Sequence, residues 1–152
     1  MNQPRQSVEI YVGGALVYAS GVREGTLGAC PVHSAKDAVE HLASIRRMPQ
    51  EVFVVMSLNG ANLPIRTRCI TVGLLDSNQV HPREVFAEAL VDRAAAIVVA
   101  HNHPSGTLEA SPEDLALTSR LQKAGDLLGV RVLDHVIVTS DGFISLRQLG
   151  KM

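Results

Sequence analysis

A mixed β-sheet flanked by helices, the α/β (α+β) class, is the fold that this chain of 152 residues predicts, on three observations. Ala95 to Ala100 is a short apolar run of the buried central-strand type, and Val52 to Leu58 reads as a further strand. Turn signals at Asn59-Gly60 and Asp141-Gly142 join neighbouring strands as hairpins. Apolar residues at helical spacing separate the strand pairs, so single crossovers are required as well, and a wholly parallel sheet is excluded.

The elements follow in order. Val8, Ile10 and Val12, then Leu16 and Tyr18 after Gly13-Gly14, alternate as a strand or hairpin with a structural role. Ser34 is an N-cap for a helix carrying Ala38, Val39, Leu42 and Ile45, and Pro49 marks its exit. Val52 to Leu58 pairs through the Asn59-Gly60 turn with a strand from Ile65 to Val72. Pro82 opens a helix bearing Val85, Phe86, Ala89 and Leu90, after which Ala95 to Ala100 forms a central strand. Ser111-Pro112 opens the next helix, with Leu115, Thr118, Leu121, Ala124 and Leu128 as its expected apolar face and Gly129 as its end. Val130 to Thr139 and Phe143 to Leu146 complete the chain as strands.

Composition narrows the function classes. With 46% hydrophobic and 19% charged residues, and no internal repeat or linker, the chain reads as one soluble domain over residues 1–152. No run reaches the roughly 18 to 20 apolar residues of a membrane span, and the polar start lacks a secretory layout, so a cytoplasmic setting is expected. Cys30 and Cys69 are then expected as reduced thiols. Cys30 and His33 have metal-like spacing, but no second such pair completes four ligands. A formal net charge of −1, 3% aromatic residues and no Trp give nucleic-acid binding little support. Arg46-Arg47 and Arg66/Arg68 read as solvated surface.

The chemistry concentrates in His101-Asn102-His103-Pro104, followed by Ser111-Pro112-Glu113-Asp114. His101 and His103 leave the end of a core strand, where side chains at i and i+2 share a side. Asp114 falls in the first turn of the next helix, where the helix dipole favours an ionised carboxylate. Two imidazoles and one carboxylate form the ligand set of an open catalytic zinc site, one Zn2+ per chain, with a fourth position for water. Such a metal lowers the pKa of water from 15.7 toward about 7. Ser111 with Asp114 alone reads as a capping box, and His-Asn-His-Pro alone as a polar turn. Neither reading explains their combination.

His101-Xaa-His103, seven residues, Ser111, two residues, Asp114 resembles the signature of the JAMM (JAB/MPN) metalloproteases. Residues His81 to Phe86, His101 to Gly106, Ser111 to Asp114 and Leu133 to Val138 bring it closer to the RadC-like branch. The agreeing layout runs from about residue 34 to 147. The resemblance implies the JAB/MPN, cytidine deaminase-like architecture, with zinc on His101, His103 and Asp114. It also implies that Ser111 assists the oxyanion and that a glutamate before an early strand, here Glu51, acts as general base. Asn102 replaces the Ser or Thr usual between the histidines of JAMM deubiquitinases, which weakens the case for that substrate. Full-length RadC-like chains carry an N-terminal helix-hairpin-helix region, for which the first thirty residues leave no room.

The expected activity is therefore hydrolysis of an amide, peptide or isopeptide, in a peptide or protein substrate. The alternative is a non-enzymatic or DNA-repair-associated module with a structural or vestigial metal site. A zinc deaminase would need His-Xaa-Glu and Pro-Cys-Xaa-Xaa-Cys, and neither occurs. His135, beside Asp134 on a strand, reads as a satisfied structural histidine, with the orienting of a ligand as the alternative. His33, His41 and His81 read as local caps or surface.

Overall fold

The structure is a computed structural model that describes residues 8–12, 15–19, 30–73 and 80–152. Strands β1 (Val8–Val12) and β2 (Ala15–Ala19) pair antiparallel as a hairpin, with Val12 opposite Ala15. The Gly13-Gly14 turn expected between them lies outside the described residues. Helix α1 (Ala35–His41) leads to β3 (Val52–Leu58) and β4 (Pro64–Val72). Helix α2 (Pro82–Val91) precedes β5 (Ala96–Asn102), and α3 (Pro112–Leu128) precedes β6 (Arg131–Val138) and β7 (Phe143–Ser145).

The main sheet has the order β4-β3-β5-β6-β7. Only β5 and β6 run parallel; the other three pairings are antiparallel, as hairpins mixed with a helical crossover require. Every residue of β3 and β5 is buried, which explains their unbroken apolar sequence. Val52, Val54, Met56 and Leu58 pack with Ala38, Val39 and Leu42 on the α1 side. Phe53, Val55, Ile97 and Val99 pack with Val85, Phe86, Leu117 and Leu121 on the α2/α3 side. The sheet thus divides two apolar layers, and His101 continues the alternation onto the α2/α3 side.

Two helices depart from their expected extent or phase. Ser34 does cap α1, in a capping box with Asp37, but the helix ends at His41 instead of continuing to Ile45. Beyond it the chain makes successive i→i+3 bonds, Leu42 to Val39, Ile45 to Leu42 and Met48 to Ile45. The apolar residues recur there every three positions, the period of such tight turns, so Leu42 and Ile45 stay buried after the α-helix stops. In α3 the buried row is Asp114, Leu117, Thr118, Leu121 and Gly125, while Leu115 is only half-buried and Leu128 is 44% exposed. Thr118 and Leu121 face inward as expected, while the inward-facing Asp114 and Leu117 shift the buried row away from Leu115 and Leu128.

Gly125 has a packing reason of its own, because a methyl group there would collide with the Val130 carbonyl and crowd Phe86 and Val132. Gly125→Ala is expected to cost about 1 to 3 kcal/mol in denaturant unfolding, as overpacking against fixed backbone does. A loss below about 0.5 kcal/mol would show that α3 can lift off β6 freely.

The basic pairs are not simply solvated. Arg46 donates from Nε to Thr139 O at 2.8 Å and from Nη2 to Ser140 O at 3.3 Å, fastening the segment after α1 to the β6–β7 turn. Arg68 on β4 bonds Asp92, the C-cap of α2, at 2.8 Å and Glu88 at 2.9 Å. Burial works to raise the Asp92 carboxyl, but Arg68, aided by Ser57 and by the charge of Arg66, outweighs it and holds Asp92 below its ordinary value. The folded value lies below the unfolded one, so this stabilisation is complete above the unfolded value near 4. It is lost as pH falls through the folded value. Asp92→Asn should therefore destabilise in urea at about pH 7 and have a smaller effect near pH 3. Equal losses at both pH values would mean that the pair contributes packing but no charge.

His81 caps α2, its Nδ1 accepting from Arg83 N at 3.2 Å, so it has the local role expected of it. Cys30 and Cys69 are free thiols, and burial pushes the Cys69 thiol up to about 12. Among the described residues, no helix is long and apolar enough to cross a membrane.

Candidate metal centre

The end of β5 is extended one residue further by a bond from His103 N to Val138 O at 2.9 Å. The extended conformation therefore persists through His103, and alternation turns His101 and His103 to one side and Asn102 to the other. Ser111 caps α3 across from them, and the capping box buries Asp114 in the first helical turn. His101 Nε2 lies 2.9 Å from His103 Nε2 and 3.3 Å from Asp114 Oδ1, and His103 Nε2 lies 4.0 Å from Asp114 Oδ2. The structure thus brings together the three residues that the sequence singles out. Among the described residues, they form the group of His, Cys, Asp or Glu side chains with metal-ligand spacing. Cys30 and His33 do not join such a group.

The donor set fits a tetrahedral divalent metal. Ligands at about 2.0 to 2.1 Å from zinc stand roughly 3.3 Å from each other, within the range of these separations. The ring of His103 is oriented by the loop that follows it: its Nδ1 is 2.8 Å from Thr107 O. A carbonyl oxygen only accepts, so Nδ1 carries a proton and donates to it, which leaves Nε2 turned to the cluster. Burial pushes the His101 imidazole down to about 4, against the raising effect of Asp114 and with a smaller lowering effect from His103. Burial thus favours the uncharged ring, the form that ligates metal. Phe53 backs its ring, stacked at 6.1 Å with 16° between the planes.

Ser111 makes a bifunctional contact with Asp114. Its Oγ accepts from Asp114 N at 3.1 Å and donates to Asp114 Oδ2 at 2.7 Å, while Asp114 Oδ2 also accepts from Ser111 N at 2.8 Å. The single hydroxyl proton is thus directed at the carboxylate in this state, so service to an oxyanion requires the hydroxyl to turn.

Glu51 lies immediately before β3, its carbonyl accepting from Gly73 N at 2.8 Å. In the β3–β5 register Phe53 stands opposite His101, and Glu51, two residues earlier, lies just beyond that end of the paired strands. Glu51 is therefore carried to the histidine end of the sheet but stands outside the ligand cluster itself.

The residue between the histidines has a role that sequence reading missed. Asn102 is fully buried on the α1 side, where its Oδ1 accepts from Val52 N at 2.7 Å. Its Nδ2 donates to Met48 O at 3.1 Å and Gln50 O at 3.0 Å. One side chain thereby ties the Glu51-bearing segment to the ligand-bearing strand. Its identity bears on where Glu51 is held, whereas from sequence it seemed to bear only on the choice of substrate. An amide with both donor and acceptor, placed where alternation faces it away from the ligands, was the available signal.

Residues 24–151 match the family model described as RadC-like JAB domain. This chain belongs to the RadC-like JAB family. It is 50% identical over 120 residues to a UPF0758 protein of Methanospirillum hungatei, covering 79% of this chain and 52% of the relative. It is 43% identical over 129 residues to a UPF0758 protein of Shouchella clausii, covering 84% and 56%. A UPF0758 protein of Geobacillus thermodenitrificans is 37% identical over 150 residues, covering 97% and 65%. The chain thus spans about half to two thirds of the length of these curated relatives. The mixed sheet with its helices agrees with the JAB architecture that the resemblance implies.

Proposed function

We propose that this RadC-like JAB chain is a metallopeptidase or isopeptidase that hydrolyses an amide bond with zinc held by His101, His103 and Asp114. The observation that carries the reading is the convergence of two imidazole nitrogens and one carboxylate at the open end of the central strand. Three protein ligands without a thiolate are the pattern of a catalytic site, whereas closed structural sites use four. When bound, zinc supplies Lewis acidity toward a carbonyl oxygen and a water of lowered pKa.

The chain's own residues do the rest. Glu51, from the neighbouring strand end, takes a proton from the attacking water and returns it to the departing amine, so that water and amide become acid and amine. Ser111 is suited to donate to the oxyanion once its hydroxyl turns from Asp114, because it still accepts the Asp114 N–H as a cap.

Elemental analysis of protein purified from metal-replete medium should find about one zinc per chain, and His103→Ala should lose it. Cleavage of quenched-fluorescent peptides and lysine-linked isopeptides should require the metal. Wild-type zinc content in both His103→Ala and Asp114→Ala would overturn the ligand assignment. Cleavage undiminished by zinc removal would overturn the proposed chemistry.

A further inference from the structure

Behind His101, on the side away from the ligand cluster, lies a continuous chain of buried polar groups. His101 Nδ1 is 2.9 Å from His135 Nε2, and His135 Nδ1 is 2.6 Å from Thr118 Oγ1. Thr118 Oγ1 in turn donates to Asp114 O at 2.6 Å. His101 and His135 are 0% exposed and Thr118 is 1% exposed, so the groups must satisfy one another. We propose that Thr118 and His135 are positioning residues that fix His101 as its Nδ1–H tautomer, leaving the Nε2 lone pair open to the ligand cluster.

Counting protons gives the direction of each bond from Asp114 O through Thr118 and His135 to His101 Nδ1. The Asp114 carbonyl has no proton to offer, so the one Thr118 hydroxyl proton goes to it. Thr118 Oγ1 can then meet His135 Nδ1 only as an acceptor, which puts the His135 proton on Nδ1. A neutral imidazole has a single N–H, so His135 Nε2 is a lone pair and accepts from His101 Nδ1–H. His101 Nε2 is left without a proton, beside His103 Nε2 and Asp114 Oδ1.

His135 stays neutral because its surroundings offer no compensation for a charge. Phe53 meets it edge-on at 5.7 Å. The Asp134 carboxylate is turned to other groups, accepting from Ser145 Oγ at 2.6 Å and from the backbone N–H groups of His135 and Arg147. Burial of an unpaired charge costs several kcal/mol, about enough to keep the ring uncharged.

Two features of the fold make the relay possible. A register shift between Ile97 and Val98 sets Val132 opposite Ile97 but Asp134 opposite Val98. The extra residue reverses the alternation on β6, so that His135, opposite Val99, faces α3. Thr118 stands one helical turn after Asp114, so the same turn of α3 supplies both a carboxylate to the cluster and the carbonyl that orients the histidine relay.

This inference rests on His101 as a metal ligand only for its consequence, because the tautomer can be read without metal. Long-range 15N–1H NMR of metal-free protein should show His101 protonated on Nδ1. Thr118→Val leaves His135 Nδ1–H facing a methyl group. A buried orphan donor is worse than a buried orphan acceptor, so the His135 proton should move to Nε2 and drive His101 to Nε2–H. Zinc affinity, measured by chelator competition, should then fall about 10- to 100-fold. Thr118→Ser should restore both readings, and His135→Gln, which places an amide oxygen near the lost Nε2, should retain more affinity than His135→Leu.

A folded Thr118→Val protein with His101 still protonated on Nδ1 and zinc affinity within about twofold of wild type would overturn the relay. So would wild-type His101 protonated on Nε2. Absence of zinc binding by wild type would instead remove the metal reading, and the wild-type and Thr118→Val tautomers would still decide the relay.

Discussion

Glu51→Gln is expected to lower turnover by about 10² to 10⁴-fold while leaving the zinc content of the protein unchanged. The two halves of this result are separable because Glu51 stands outside the group formed by His101, His103 and Asp114. Gln keeps the shape and hydrogen-bonding capacity of Glu but cannot accept and return a proton. A ligand substitution such as His103→Ala acts differently, removing metal and activity together. Loss of zinc in Glu51→Gln would make Glu51 a fourth ligand and convert the open site into a closed one. Retention of full turnover on a peptide cleaved by the wild type would remove Glu51 from the chemistry.

The second large effect is expected at Asn102. Asn102→Leu keeps the branching of the side chain, in a somewhat larger form, but leaves the Val52 N–H without its acceptor in a fully buried position. The cost for that group is about 1 to 3 kcal/mol. The Met48 and Gln50 carbonyls add less, because Met48 is half-buried and Gln50 exposed, so water can replace the lost donor. Stability alone therefore understates the substitution. Without this tether the segment carrying Glu51 keeps its bond to Gly73 N but loses its tie to β5, and turnover should fall by about 10²-fold in protein that is still folded and zinc-loaded. Asn102→Asp should be no better, since it keeps the acceptor for Val52 N–H but turns a carboxylate oxygen toward two carbonyls. Unchanged turnover in folded Asn102→Leu would show that Glu51 is placed by other contacts.

The ligands and the rest of the network differ in how they are written in the chain. His101 and His103 are two apart on a strand and Asp114 follows a recognisable N-cap, so local periodicity alone places each on its element. Asn102, Thr118 and His135 act across 50, 17 and 34 residues, on Val52, His135 and His101 respectively. Thr118 reads from sequence as one more member of a helix face, and His135 as a satisfied structural histidine. Their hydroxyl and ring nitrogens acquire a function only through what stands opposite them.

By itself, the sequence determined the fold class, the order of the elements, the caps of α1 and α3 and the grouping of His101, His103 and Asp114 that could hold a metal ion, because each depends on spacing within one element or across one short loop. It also placed Glu51 at the entrance of β3 and Ser111 at the start of α3. Only the tertiary structure decided that the segment after α1 continues in three-residue turns, that α3 turns Leu117 inward in place of Leu115 and Leu128, and that Asn102 tethers the segment bearing Glu51. The orientation of His135 depended on a single extra residue in the β5–β6 register, which exchanges the two faces of a strand. That choice is set by packing between neighbouring strands, and no periodicity along β6 records it.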